Sequence, residues 1–318
     1  MKTLFFLGTM MLLEVSNLFG QISFDYSAVE LVLSQFTEGK DNIQAVINNA
    51  GYQHILSHSK KYSSEPLTEG NLRNSLNGKN EGFDFSHVVE RKENYLEIIK
   101  FIKANEQEII NDYAKLCLKY LPDDYAQKAT TYYVIGGYNG IAFDSKICMN
   151  IDFEQFRNNY KEIELYIAHE LFHIGFEKYQ PLHDIFTAKT VKDLKAIVLS
   201  MTMNEGLATL TPYHKRIELN EISDYDYKTL LDSLTLQKKI DQFNSVIKFM
   251  DENINKELNN EILGNVLGQC SGDRLFYIVG CYIGLRIEEK YGSDKIKELI
   301  KQGHENYFDT YYQIIAKE

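Results

Sequence analysis

His169 and His173 stand four residues apart in the run Glu162-Ile163-Glu164-Leu165-Tyr166-Ile167-Ala168-His169-Glu170-Leu171-Phe172-His173-Ile174-Gly175. This segment constrains the chain more than any other. Its residues form helix readily, and a helix places positions i and i+4 on one face about one turn apart. Nearly every neighbour of the two histidines is apolar, the pattern of a helix buried on most sides. Two imidazoles and a carboxylate are costly to bury without partners, and a divalent cation satisfies all three. The ring nitrogens converge on the ion. Glu170, rotated off that face, reaches a water beside it without binding the metal itself. A chance match to this pattern arises in about one in a hundred chains of such composition.

A tetrahedral site needs a further protein ligand. Position 179 is Tyr, so no third His follows six residues after the second. Downstream, Leu199-Ser200-Met201-Thr202-Met203-Asn204-Glu205-Gly206-Leu207-Ala208-Thr209 reads as a second helix whose small residues permit close approach to the first. Glu205 lies there amid Met203, Leu207 and Leu210, poor surroundings for an unpaired carboxylate, and is the candidate third ligand. His183, after Pro181, reads as a loop histidine, with the role of ligand in place of Glu205 as its alternative. His54 and His58 are also four apart. Ile55 stands where a base belongs and Lys60 and Lys61 follow, so this pair reads as a surface feature.

The rest of the chain is organised around helices. Residues 1–20 read as a signal peptide: Lys2, the apolar run from Leu4 to Leu13, and a polar stretch ending in Gly20 before Gln21. The expectation is a secreted or periplasmic protein cleaved near Gly20-Gln21. No later stretch is apolar and long enough to span a bilayer. The net charge of -11 repels phosphate backbones and anionic lipid, which argues against nucleic-acid partners and membrane insertion. Residues 21–125 are expected to form a helical N-terminal region, and residues 126–318 the domain that carries the histidine motif. Thr131-Tyr132-Tyr133-Val134-Ile135 reads as a strand, Gly136 to Gly140 as a turn, and residues 141–151 as one or two further strands. That hairpin either offers an edge to an extended peptide or is purely structural. Helices resume at Phe153, with breaks near Pro181, Ser223, Gly268 and Gly292. The fold class is therefore mainly α with a small β-sheet. Cys117, Cys148, Cys270 and Cys281 permit three pairings or four free thiols, and spacing does not choose between them.

His-Glu-Leu-Phe-His, followed by a helix carrying Asn204-Glu205-Gly206-Leu207-Ala208, resembles the gluzincin group of zinc peptidases. It is most similar to uncharacterised secreted bacterial members, in which a short strand pair precedes the zinc helix and a Tyr-x-x-Gly helix follows. Tyr277-Ile278-Val279-Gly280 fits that last element. The resemblance covers roughly residues 130–292. It implies a zincin-like catalytic domain, Zn2+ as cofactor, and His169, His173 and Glu205 as its ligands. Four residues after the ligand Glu many members carry an acidic residue, and this chain has Thr209, which bears on how a zinc-binding His is supported. Glu170 is then the general base in peptide-bond hydrolysis. The developing oxyanion needs a further donor, for which Tyr277, Arg274, Tyr213 and His214 are candidates and Tyr277 the first choice. The substrate is a peptide or protein; oligomeric state is not legible. The alternatives are a secreted zinc-containing binding protein of the same fold without catalysis, and a metal-free helical interaction protein.

Overall fold

Four short strands form one sheet among helices in the computed structural model, which describes residues 22–181 and 185–317. The expected signal segment, its cleavage point and His183 lie outside the described residues. The strands are β1 (Ile22–Asp25), β2 (Ala129–Val134), β3 (Gly140–Phe143) and β4 (Lys146–Asn150), in the spatial order β1-β2-β4-β3. β1 and β4 run parallel to β2, and β3 runs antiparallel to β4. Asp144 and Ser145 join β3 to β4 with φ of 49° and 58°. Left-handed backbone at both central residues matches the twist of a two-residue hairpin. β1 was not expected. It is four residues long, and its partner β2 lies more than a hundred positions away.

The helices that build and support the site are α1 (Ser27–Thr37), α2 (Ala50–Tyr62), α3 (Lys92–Glu108), α4 (Lys161–Phe176), α5 (Val191–Leu219), α6 (Tyr225–Leu231), α7 (Ser233–Glu252), α8 (Leu275–Tyr291), α9 (Ser293–Gln302) and α10 (His304–Ile315). The chain is thus mainly α with a small sheet, as its sequence pattern indicates. α2 packs on the sheet: Tyr52 Oη donates to the Ile135 carbonyl at 2.8 Å, and Cys148 Sγ lies 3.2 Å from the Gly51 carbonyl. All four cysteines are buried free thiols. Among the described residues no helix is long and apolar enough to cross a membrane.

α5 opens on a capping box, in which the Thr190 hydroxyl accepts from the Asp193 amide and the Asp193 carboxylate accepts from the Thr190 amide. It closes on Asn220 in the left-handed conformation. Pro212 lies inside it without ending it. Against α5 lies α8, and the two backbones meet at glycines. A Cβ on Gly206 would stand 2.2 Å from the Gly280 carbonyl carbon, and one on Gly280 would stand 2.1 Å from the Thr202 oxygen. Only glycine permits that approach at either position. The far end of α8 is tied down by Glu288, which accepts from Tyr120 Oη at 3.0 Å, pairs with His214 Nε2 at 2.9 Å and with Lys119 Nζ at 2.6 Å. Burial alone raises that carboxyl, but His214 and Lys119 outweigh it and hold Glu288 at about 2.

Two outcomes follow from this packing. Gly206→Ala forces the helices apart and is expected to destabilise the protein by about 3 kcal/mol, read from the midpoint of urea unfolding; an unchanged midpoint would mean the crossing has room to spare. Glu288 is depressed from 4.5 to about 2 on folding. Its stabilisation is therefore fully present above pH 4.5 and lost as pH falls towards 2. Glu288→Gln is expected to flatten the acid-side loss of stability across that window in unfolding titrations.

Candidate active site

α4 and α5 run antiparallel. Near the start of α4, Glu162 meets Arg216 near the end of α5, and three turns further on His173 meets Asn204 and Glu205. This pairing brings the three candidate ligands together. His169 Nε2 lies 3.1 Å from His173 Nε2, and Glu205 Oε2 lies 3.7 Å and 3.4 Å from those two atoms. Tetrahedral bonds of about 2.0–2.1 Å set ligand atoms roughly 3.3 Å apart, so the triangle has the size that a zinc ion requires. His173 Nδ1 is 3.0 Å from Asn204 Oδ1, so Nδ1 donates there, and in the neutral ring Nε2 presents its lone pair to the centre of the triangle. Two imidazole nitrogens facing each other beside a carboxylate are a donor set for a cation.

The charges point the same way. Burial pulls His169 down to about 4. It also opposes protonation of His173, but the Glu205 carboxylate overrides it and raises that ring to about 9. Burial disfavours the Glu205 charge too, yet the two histidines hold its carboxyl well below the usual range. The site therefore keeps one positive charge against Glu205. Glu170, 6% exposed, is pushed up to about 7 by burial. Its carboxylate abuts the first residue of β3: a Cβ on Gly140 would stand 2.5 Å from Glu170 Oε1. Glycine at that position leaves room for the carboxylate.

Tyr277, on the first turn of α8, faces the same centre. Its ring is 6.4 Å from that of His169 and within 15° of parallel to it. The Arg274 guanidinium stacks on this ring at 3.4 Å from its centroid and grips the buried Asp226, its Nε lying 3.1 Å and 3.2 Å from the two carboxylate oxygens. Arg274 has a φ of 62°, unusual for a side chain of its size and held in place by that ion pair. The charge on Glu205, with burial, raises the Tyr277 phenol well above its ordinary value, so it stays a hydrogen-bond donor.

These residues line one cleft of about 730 Å³. Of the four candidate oxyanion donors, Tyr277 and Arg274 lie in it. His214 turns away to Glu288, and Tyr213 packs on Tyr227 at 6.4 Å. The reading of His54 and His58 as a surface pair is corrected. α2 lays this face against the sheet, so His54 is 4% exposed and stacks on Phe143 at 4.0 Å, while His58 lines the cleft. Burial lowers both rings to about 4, which leaves them neutral. The support from Asn204 was not legible. Asn204 neighbours Glu205 in sequence, and only the register of α5 against α4 turns it to His173. Thr209, at the place where relatives of that type carry an acid, spends its hydroxyl on the Glu205 carbonyl at 2.8 Å.

A family model described as "Putative zinc dependent peptidase (DUF5700)" matches residues 39–318. The match takes in N-terminal helices that the motif resemblance did not cover. The chain matches no curated protein and no solved structure.

Metal content tests the geometry. Wild type purified without chelators or metal-affinity resin is expected to carry about one zinc per chain, Glu205→Ala much less, and Asn204→Ala to bind zinc roughly 10- to 100-fold more weakly. Elemental analysis with competitive chelation reads all three. Undiminished zinc in Glu205→Ala would move the third ligand elsewhere, with His183 tested next.

Proposed function

We propose that this chain, which belongs to the family described as "Putative zinc dependent peptidase (DUF5700)", hydrolyses peptide bonds at a gluzincin-type centre in which His169, His173 and Glu205 hold the metal. The observation that carries this reading is the triangle of ligand atoms at 3.1, 3.4 and 3.7 Å with the Glu170 carboxylate beside it. A bound zinc supplies Lewis acidity, polarising the scissile carbonyl and making water acidic enough to give up a proton near neutrality. Glu170 takes that proton and passes it to the leaving amine. Its burial keeps the proton exchange away from bulk water, and glycine at position 140 leaves room for the carboxylate.

Tyr277 donates to the oxyanion that forms on the substrate carbonyl. Arg274 and Asp226 are positioning residues: the stacked guanidinium limits the ring's swing, and the ion pair fixes the guanidinium. β3 is the last strand of the sheet, and Asn139, Gly140, Ile141 and Ala142 line the cleft. Its outer edge is available to an extended peptide as an added strand, which sets the scissile bond across the site. Export from the cytoplasm, expected from residues 1–20, completes the proposal. The same fold used only to hold zinc is the competing reading, and Glu170 argues against it, since a structural site has no use for a base.

Glu170→Gln is expected to lower kcat on a peptide substrate by roughly a thousandfold while zinc stays bound. Tyr277→Phe is expected to lower kcat roughly a hundredfold with KM little changed. Full activity in Glu170→Gln would rule out this mechanism.

A further inference from the structure

The cleft continues past the metal-ligand candidates. From His169 towards the start of α4 the seam with α5 passes Tyr166 and then Glu162, facing Thr209 and then Arg216. About two turns of helix, roughly 10 Å, separate His169 from the level of Glu162. Tyr166, Thr209, Arg216, Asp224, Asp226 and Tyr227 line this end. Arg216 is 1% exposed, Asp226 3% and Asp224 9%, so the polar groups of this cleft wall are withdrawn from water.

Charge at this end does not balance. Glu162 is matched by Arg216 through hydrogen bonds of 2.9 Å and 2.7 Å. Asp226 is matched by Arg274. Asp224 accepts from Gln155 Nε2 at 3.1 Å and from the Asp226 amide at 2.9 Å, and among the described residues it is paired with no cation of its own. Three carboxylates thus face two guanidiniums. The Nε–H of Arg216 is buried and has no acceptor among the described residues. Tyr166 Oη donates to Gln155 Oε1 at 3.2 Å, which orients the amide towards Asp224. Asp224 thus shares the Arg216 charge with Glu162, and a buried carboxylate with no ion-pair partner of its own beside a buried donor without an acceptor, on residues that line the same cleft, marks a pocket whose polar groups are completed by a ligand.

We propose, resting on the peptidase reading above, that this end of the cleft is a side-chain pocket selecting a basic residue, lysine or arginine, next to the scissile bond. Distance selects for length: a peptide backbone held at the metal ligands needs a long side chain to reach the level of Asp224. Charge selects for the sign. An ammonium or guanidinium beside Asp224 restores neutrality through a charge-assisted bond shielded from water. An acidic side chain adds a second unbalanced negative charge and is rejected. The tyrosine rings of Tyr166 and Tyr227 supply walls that suit the aliphatic stem.

The test compares two peptides that differ only by Lys against Gln at the position beside the cut, that position being located with a peptide library. Zinc-loaded wild type is expected to favour the Lys peptide in kcat/KM by roughly ten- to a hundredfold. Asp224→Asn retains a residue able to cap α6, where the Asp224 side chain accepts from the Asp226 amide, and is expected to bring the ratio to about one. The same ratio in both proteins, or a wild-type preference for Gln, overturns the proposal. If wild type cuts no peptide at all, the peptidase reading fails separately, and the pocket is judged by calorimetric binding of the same two peptides. Tighter binding of the Lys peptide that vanishes in Asp224→Asn then upholds it, and equal binding overturns it.

Discussion

The charged and polar groups that α4 buries need partners, and most of the architecture around the site is the set of those answers. Glu162 and Glu164 are buried on a helix that also carries His169, Glu170 and His173. Glu162 is met by Arg216 from α5, Glu164 by Lys161 at 2.9 Å, and His173 by Asn204 and Glu205. Leaving one such charge unmatched costs several kcal/mol. The antiparallel register of α4 and α5 is the arrangement that supplies Arg216 at one end and Glu205 at the other. Glu170 is the exception. It is buried beside Gly140, with no cation bonded to it among the described residues, and burial pushes its carboxyl up.

The glycine contact between α5 and α8 determines what stands opposite those histidines. With Gly206 and Gly280 in backbone contact, the first turn of α8 overhangs α5 near Glu205, and Tyr277 comes to lie parallel to His169. Arg274 and Asp226 then lock the ring. A side chain at either glycine would lift α8 away and carry Tyr277 with it, so a backbone packing contact one residue from Glu205 fixes the geometry of the centre. The cleft that results is uneven in charge: His58 and Lys61 from α2 line it, as do Asp224, Asp226, Arg216 and Arg274.

Where sequence reading fell short, the missing information was long-range. β1 is too short to declare itself and exists because β2 accepts it as a parallel neighbour. His54 and His58 looked like a surface pair because lysines follow them, yet α2 turns this face to Phe143 and Tyr138. Asn204 is one residue from Glu205 and gave no signal of its own. The Asp144-Ser145 turn lacks the glycine that usually announces a two-residue hairpin, so residues 141–151 did not resolve into two strands from sequence alone.

By itself the sequence determined the elements with strong local signatures: the apolar helix that holds two histidines one turn apart, the second helix with its small residues, the Tyr-x-x-Gly helix, and the small sheet before them. Those follow from periodicity and propensity, which act over a few residues. Only the tertiary structure decided which side chains share the centre. Closing the triangle needs Glu205 to face His169 and His173, a matter of register between two helices. Local sequence does not encode that register. It is set by the Glu162–Arg216 pair at one end of the seam and by the glycine crossing with α8 beside it. That Asp224 has no ion-pair partner of its own among the described residues has the same origin, since it is a property of the whole packed neighbourhood and of no single segment.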